Sequence, residues 1–152
     1  MKILVAFDTK YGNTENVAKT IVEGIKSVES IEVTLSNMKK VDFKKLDGYD
    51  VFLLGCPTHF GGPTRGAKKF LEKLGKLNLK GKKIAVFDTY IKEDFEKSVK
   101  ELEERIHAKT PGLQLLLPGL SIQVEDMKGP ILENEFPKCR EFGRQVATQL
   151  ES

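Results

Sequence analysis

Five short apolar runs punctuate the chain, and segments with a helical apolar period stand between most of them. Ile3 to Phe7 is unbroken, as suits a strand buried on both faces. Val17, Ile21, Ile25 and Val28 then recur at helical spacing. Ile31 to Leu35 alternates like a strand nearer an edge, and Val51 to Cys56 is a second buried strand. A helix is expected over Ala67, Phe70, Leu71 and Leu74, a strand over Ile84 to Phe87, and a helix over Phe95, Val99, Leu102 and Ile106. Leu113 to Val124 is apolar but broken by Pro118-Gly119, so it reads as a strand or a bent pair of strands. Cys139, Phe142, Val146 and Leu150 mark a last helix. Strands alternating with helices imply parallel strands joined by right-handed crossovers, with helices covering both faces. The expected fold is α/β, a doubly wound parallel sheet of five strands. At 152 residues it is expected to form a single domain over 1–152. Ligands of such sheets bind beyond the carboxyl ends of the strands, at the topological switch point. The loops after the first, third and fourth strands are therefore the informative ones.

Composition closes several other routes. Charged residues make up 31% and no apolar run approaches the ~18 residues of a membrane span, so a cytoplasmic protein with no membrane partner is expected. Met1 to Val5 resembles a short signal peptide, but Asp8 interrupts it and no cleavage site follows, so it reads as a strand. The net charge of +3 is mixed along the chain, and the lysine-rich stretch from Lys73 to Lys83 contains no aromatic residue. That argues against nucleic acid as a partner. Cys56 and Cys139 are too few for a disulfide framework, and with His59 and His107 they form no evident metal set.

The first loop, Thr9-Lys10-Tyr11-Gly12-Asn13-Thr14, is rich in hydroxyl and amide groups and leads into a helix. Gly12 permits a positive φ, and the helix start presents unpaired N–H groups and partial positive charge. Such a loop suits a phosphate. Capping of the helix by Asn13 or Thr14 is the simpler alternative. The lysine-bearing triphosphate motif is only approached, at Gly61 to Lys68, where Ala67 holds the lysine position; G-x-G-x-x-G is absent after every strand. The second loop, Cys56 to Pro63, sets Pro57, Thr58, His59, Phe60 and Gly61 in a row. Phe60 beside Gly61 offers a flat apolar face next to backbone polar groups. The third loop carries Asp88, Thr89 and Tyr90, whose ring suits stacking.

These residues resemble the flavodoxin family. T-x-Y-G-N-T after the first strand is similar to the family's phosphate loop, P-T-H-F-G-G-P at Pro57 to Pro63 to its first ring-flanking loop, and F-D-T-Y at Phe87 to Tyr90 to its second. Lys128 to Leu132 and the segment to Phe142-Gly143 also resemble flavodoxin-like proteins, so the likeness covers nearly the whole chain. It implies a sheet of order 2-1-3-4-5, of which flavodoxin is itself a standard example, and the short-chain form. It implies FMN as cofactor: Thr9, Lys10, Tyr11, Gly12, Asn13 and Thr14 at the phosphate, Pro57, Thr58, His59, Phe60 and Gly61 on one side of the ring, and Asp88, Thr89 and Tyr90 on the other. The implied function is electron transfer, cycling one-electron states of bound FMN, in a monomer serving redox protein partners. Two departures stand out. The chain has no tryptophan, so Phe60 or His59 must serve at one ring face. It is slightly basic where many relatives are acidic, which points to acidic docking surfaces on its partners. The alternatives are a flavin-dependent NAD(P)H:quinone oxidoreductase and a flavin-free binding module. The quinone reductases share the second loop, but Asp88 to Asp94 lacks their glycines.

Overall fold

The computed structural model describes residues 1–28 and 30–151; positions 29 and 152 lie outside it. In chain order the elements are β1 (Lys2–Phe7), α1 (Asn13–Ile25), β2 (Glu32–Asn37), β3 (Val51–His59), β4 (Gly62–Pro63), α2 (Arg65–Leu74), β5 (Lys83–Tyr90), α3 (Lys97–Lys109), β6 (Gln114–Leu115), β7 (Leu120–Gln123) and α4 (Phe136–Glu151). Short 3-10 turns cover Met38–Lys40, Phe43–Gly48 and Glu133–Glu135.

The sheet runs β2-β1-β3-β5, and both β6 and β7 pair with the far side of β5. These pairs are all parallel. This is the expected order, with the fifth strand split in two and the small antiparallel hairpin β3–β4 added. The break follows from the sequence. β6 pairs with Lys83 and Ile84, β7 with Phe87 to Tyr90, and Pro118 between them has no N–H for the ladder.

Successive strand residues point to opposite faces, and this builds two cores. Ile3, Val5, Phe7, Leu53 and Phe87 pack with α1 and α4 on one face. Leu4, Ala6, Phe52, Leu54, Cys56, Ile84 and Val86 pack with α2 and α3 on the other. Full burial of each large side chain contributes about 1.5–3 kcal/mol. α1 and α4 meet at a glycine contact. A Cβ on Gly143 would lie 2.1 Å from the Ile21 carbonyl oxygen, and one on Gly24 2.1 Å from that of Arg140. This contact lets α4 lie close on α1. Phe95, expected within α3, instead stands before it, 56% exposed.

Candidate functional site

β1 ends at Phe7, and the loop after it enters α1 through Gly12, whose φ of 92° is left-handed. No side chain caps α1, so neither Asn13 nor Thr14 takes the capping role. The first bond of the helix runs from the Asn16 N–H to the Gly12 carbonyl. The amides of Asn13, Thr14 and Glu15 precede it and have no partner within the helix. A Cβ on Gly12 would meet nothing within 4 Å, so the loop is open at that point. The Thr9 hydroxyl accepts from the Gly12 N–H at 3.0 Å and fixes the bend. Thr14 is buried, and its hydroxyl meets that of Thr89 at 3.0 Å. The first and third loops are thereby joined.

Above this junction opens a pocket with about 380 Å³ of empty space. The first loop contributes Thr9, Lys10, Tyr11, Asn13 and Thr14, the second Pro57, Thr58 and His59, and the third Thr89 and Tyr90. One wall is polar and abuts the uncapped start of α1; the other is largely apolar, with Tyr90, Ile91, Val124 and Met127. Tyr90 is held edge-on by Phe95, ring centroids 5.5 Å apart. Burial and the nearby Lys10 ammonium lower the pKa of His59, against an opposing pull from Asp8. A wider groove, about 1160 Å³, is lined by residues 74, 75, 77–81 and 110–114. Its one charged lining residue is Lys80.

Four of the expected site residues do not line the pocket. Gly12 shapes its polar wall through the backbone. Phe60 and Gly61, with φ of 54° and 75°, form the two-residue turn of the β3–β4 hairpin, and Phe60 is fully exposed. Asp88 is buried. Its carboxylate accepts from the Ser121 hydroxyl at 2.6 Å and the Val99 N–H at 3.0 Å, tying β5 to β7 and α3. Burial outweighs these bonds and pushes its pKa up to about 7. Conversely, Ile91, Val124, Asp126 and Met127 line the pocket without having been expected. Asp126 and Met127 belong to the loop after the fifth strand. The rule that ligands sit at strand carboxyl ends applied to that loop as well.

The family model described as Flavodoxin matches residues 5–131, most of the chain. The chain belongs to the flavodoxin family. A flavodoxin of Clostridium saccharobutylicum is 30% identical, with 99% of this chain and 98% of that protein covered. The crystal structure of oxidised flavodoxin 2 from Bacillus cereus superposes with a TM-score of 0.81 at 32% identity, covering 98% of this chain and 99% of that one. An archaeal flavodoxin gives 0.85 over the full length of both chains at 22% identity, a likeness of fold. As a flavodoxin, the protein binds FMN and transfers electrons, and the pocket fits that cofactor in kind: helix-start amides without a partner in the helix and threonine hydroxyls for a phosphate, beside an apolar wall with a tyrosine ring. Among the described residues no helix is long and apolar enough to cross a membrane, and no three His, Cys, Asp or Glu side chains are grouped to hold a metal. Cys56 and Cys139 are buried and free, with thiols pushed up to about 12, chiefly by burial.

Proposed function

We propose that this pocket is the FMN site and that the protein works as a one-electron carrier between redox proteins. The observation that carries the reading is the uncapped start of α1 behind left-handed Gly12, opening into a pocket with an aromatic wall. Thr9, Lys10, Tyr11, Gly12, Asn13 and Thr14 would hold the phosphate, mainly through backbone N–H groups and hydroxyls. Pro57, Thr58 and His59 would border one side of the ring, with Phe60 and Gly61 at its exposed edge. Thr89 and Tyr90 would border the other. Asp88 serves this wall from beneath by holding β7 and α3 in place. Asp126 and Met127 extend the set. When bound, FMN supplies the redox chemistry; the chain binds it, orients it and limits water around it. The chain then acts as one domain over 1–152, a cytoplasmic monomer whose partners present acidic docking surfaces.

Spectroelectrochemical titration of the FMN-loaded protein separates this reading from its rivals. Two resolved one-electron steps are expected, with no steady-state reduction of quinones by NADH or NADPH. Rapid quinone turnover with either nucleotide would transfer the reading to an oxidoreductase. A colourless protein that takes up no added FMN would make it a flavin-free binding module.

A further inference from the structure

The mild net charge of the whole chain conceals a strong local one. Residues 38–48 and 65–76, the 3-10 turns after β2 and the helix α2 with its exit, carry nine basic and three acidic residues, a net +6. The chain as a whole is +3, which leaves −3 for everything else. The two segments pack together, Phe43 on Phe70 with ring centroids 4.9 Å apart. Lys39, Lys69 and Lys73 line a cleft between them, with about 440 Å³ of empty space. Asp8 also lines it, its carboxylate accepting the Thr64 hydroxyl at 2.6 Å.

Ion pairing is distributed in the opposite sense. Among the described residues, bases on α1, α3 and α4 pair with carboxylates: Lys19 with Glu15, Lys97 with Asp94, Lys100 with Glu96, Arg140 with Glu23. On the basic face only Lys68 does so, reaching Glu101 on α3 at 3.9 Å. Lys39, Lys40, Lys69 and Lys73 are exposed and belong to none of the ion pairs within 4.0 Å. Their charge is left facing solvent. The face also adjoins the pocket. Asp8 lines the cleft and the next residues, Thr9 and Lys10, line the FMN site. α2 itself begins directly after the β3–β4 hairpin that carries His59 and Phe60.

We infer that the face formed by α2 and the 38–48 segment is the docking surface for an electron-transfer protein with an acidic surface around its redox centre. This rests on the FMN reading above, and it locates the surface. Unpaired charge on one side of a site steers encounter and fixes the orientation of approach, and the effect falls with ionic strength. In the productive encounter one electron leaves the partner's reduced centre and one is gained by the bound flavin.

The test is stopped-flow reduction of the FMN-loaded protein by a reduced, small acidic ferredoxin, with dithionite, a small anion that has no protein surface to dock, as the control reductant. Two double variants carry the same total charge: Lys69→Glu/Lys73→Glu on the face and Lys26→Glu/Arg144→Glu on the α1 and α4 side of the sheet. Both side-chain pairs are exposed, so both variants should fold. The ferredoxin rate at low salt should drop about tenfold in the first and by less than about twofold in the second, a range typical of steering effects. The wild-type rate should fall as salt rises, and dithionite should reduce the two variants, equal in charge, at equal rates. Equal slowing of both variants, or a wild-type rate that rises with salt, would overturn the docking assignment while leaving the FMN site standing. So would salt-sensitive binding of the face to phosphatidylserine vesicles with no difference between the variants towards ferredoxin; that result would assign the face to a lipid surface. Wild type that keeps no FMN through desalting would overturn the site itself, and the docking assignment with it.

Discussion

Thr14 has two tasks in this structure. Its backbone N–H belongs to the open end of α1, and its buried hydroxyl holds Thr89 at 3.0 Å. Thr14→Val should weaken FMN binding by about tenfold and also lower the stability of the FMN-free protein, because the Thr89 hydroxyl is left buried without a partner at a cost of about 1–3 kcal/mol. Lys10 is exposed, with its ammonium 5.4 Å from the Tyr11 ring centre; Lys10→Ala should cost about threefold or less, as exposed charges do. FMN titrations and urea unfolding of both variants check this, and the assignment of roles fails if Lys10→Ala is the more damaging. Asp88 gives a pH signature. Its folded pKa of about 7 lies above the ordinary 3.8, so between those values the folded state holds a proton that the unfolded state lacks. Its contribution to stability is complete below about pH 4 and is lost as pH rises to about 7, by at most about 1.4 kcal/mol per pH unit. Asp88→Asn removes that slope. The stability of wild type relative to the variant should therefore fall between pH 5 and pH 8; a constant difference would show that Asp88 does not titrate there. The place of Asp88 was legible in part. Alternation along β5 sets it on the face of Val86, away from Phe87 and Thr89, but the motif groups it with Thr89 and conceals that parity.

Elements show where local propensity and tertiary contact disagree. Gly143 lies inside α4, where helix propensity alone would favour alanine by about 1 kcal/mol. Its absent Cβ would lie 2.1 Å from a backbone oxygen of α1, however. Gly143→Ala should therefore destabilise the protein by roughly 1–3 kcal/mol, the range for overpacking, as read by urea unfolding; a stabilised variant would contradict the close contact. The β3–β4 turn presents the opposite case. Phe60 at φ 54° is a bulky residue in a left-handed conformation, and both central residues have the positive φ of a type I′ turn. Phe60→Asn, which gives the favoured Asn-Gly pair, should stabilise the FMN-free protein by about 1 kcal/mol. Gly61 is already at φ 75°. A Cβ there is thus strained without any change of redox state. The helices and the three inner strands β1, β3 and β5 were readable from periodicity, because burial on both faces leaves unbroken apolar runs, and the edge strand β2 was readable from its alternation. The split of the fifth strand was readable only as an ambiguity. Its outcome depends on which residues of β5 remain free to pair. The contribution of Asp126 and Met127 to the pocket was readable only from the place of their loop at a strand's carboxyl end, since a polar loop after an edge strand carries no motif of its own.

At the scale of the whole molecule, the strand order brings the loops of β1, β3 and β5 to one end, and the charge of the chain is sorted by face. Sequence position shows the first through the alternation of strands and helices. It hides the second, because residues 38–48 and 65–76 are separated by β3 and meet only in the fold. The central claim is that the end of the sheet next to α1 is built to hold FMN. Titration of FMN into the FMN-free protein, followed by quenching of flavin fluorescence, tests it most directly. The account expects saturable quenching at one FMN per chain, weakened in Thr14→Val and in Tyr90→Ala, the latter by about 1–2 kcal/mol from lost ring contact and burial. Flavin fluorescence that stays unchanged with wild-type protein, or quenching that survives both substitutions at full affinity, would contradict it.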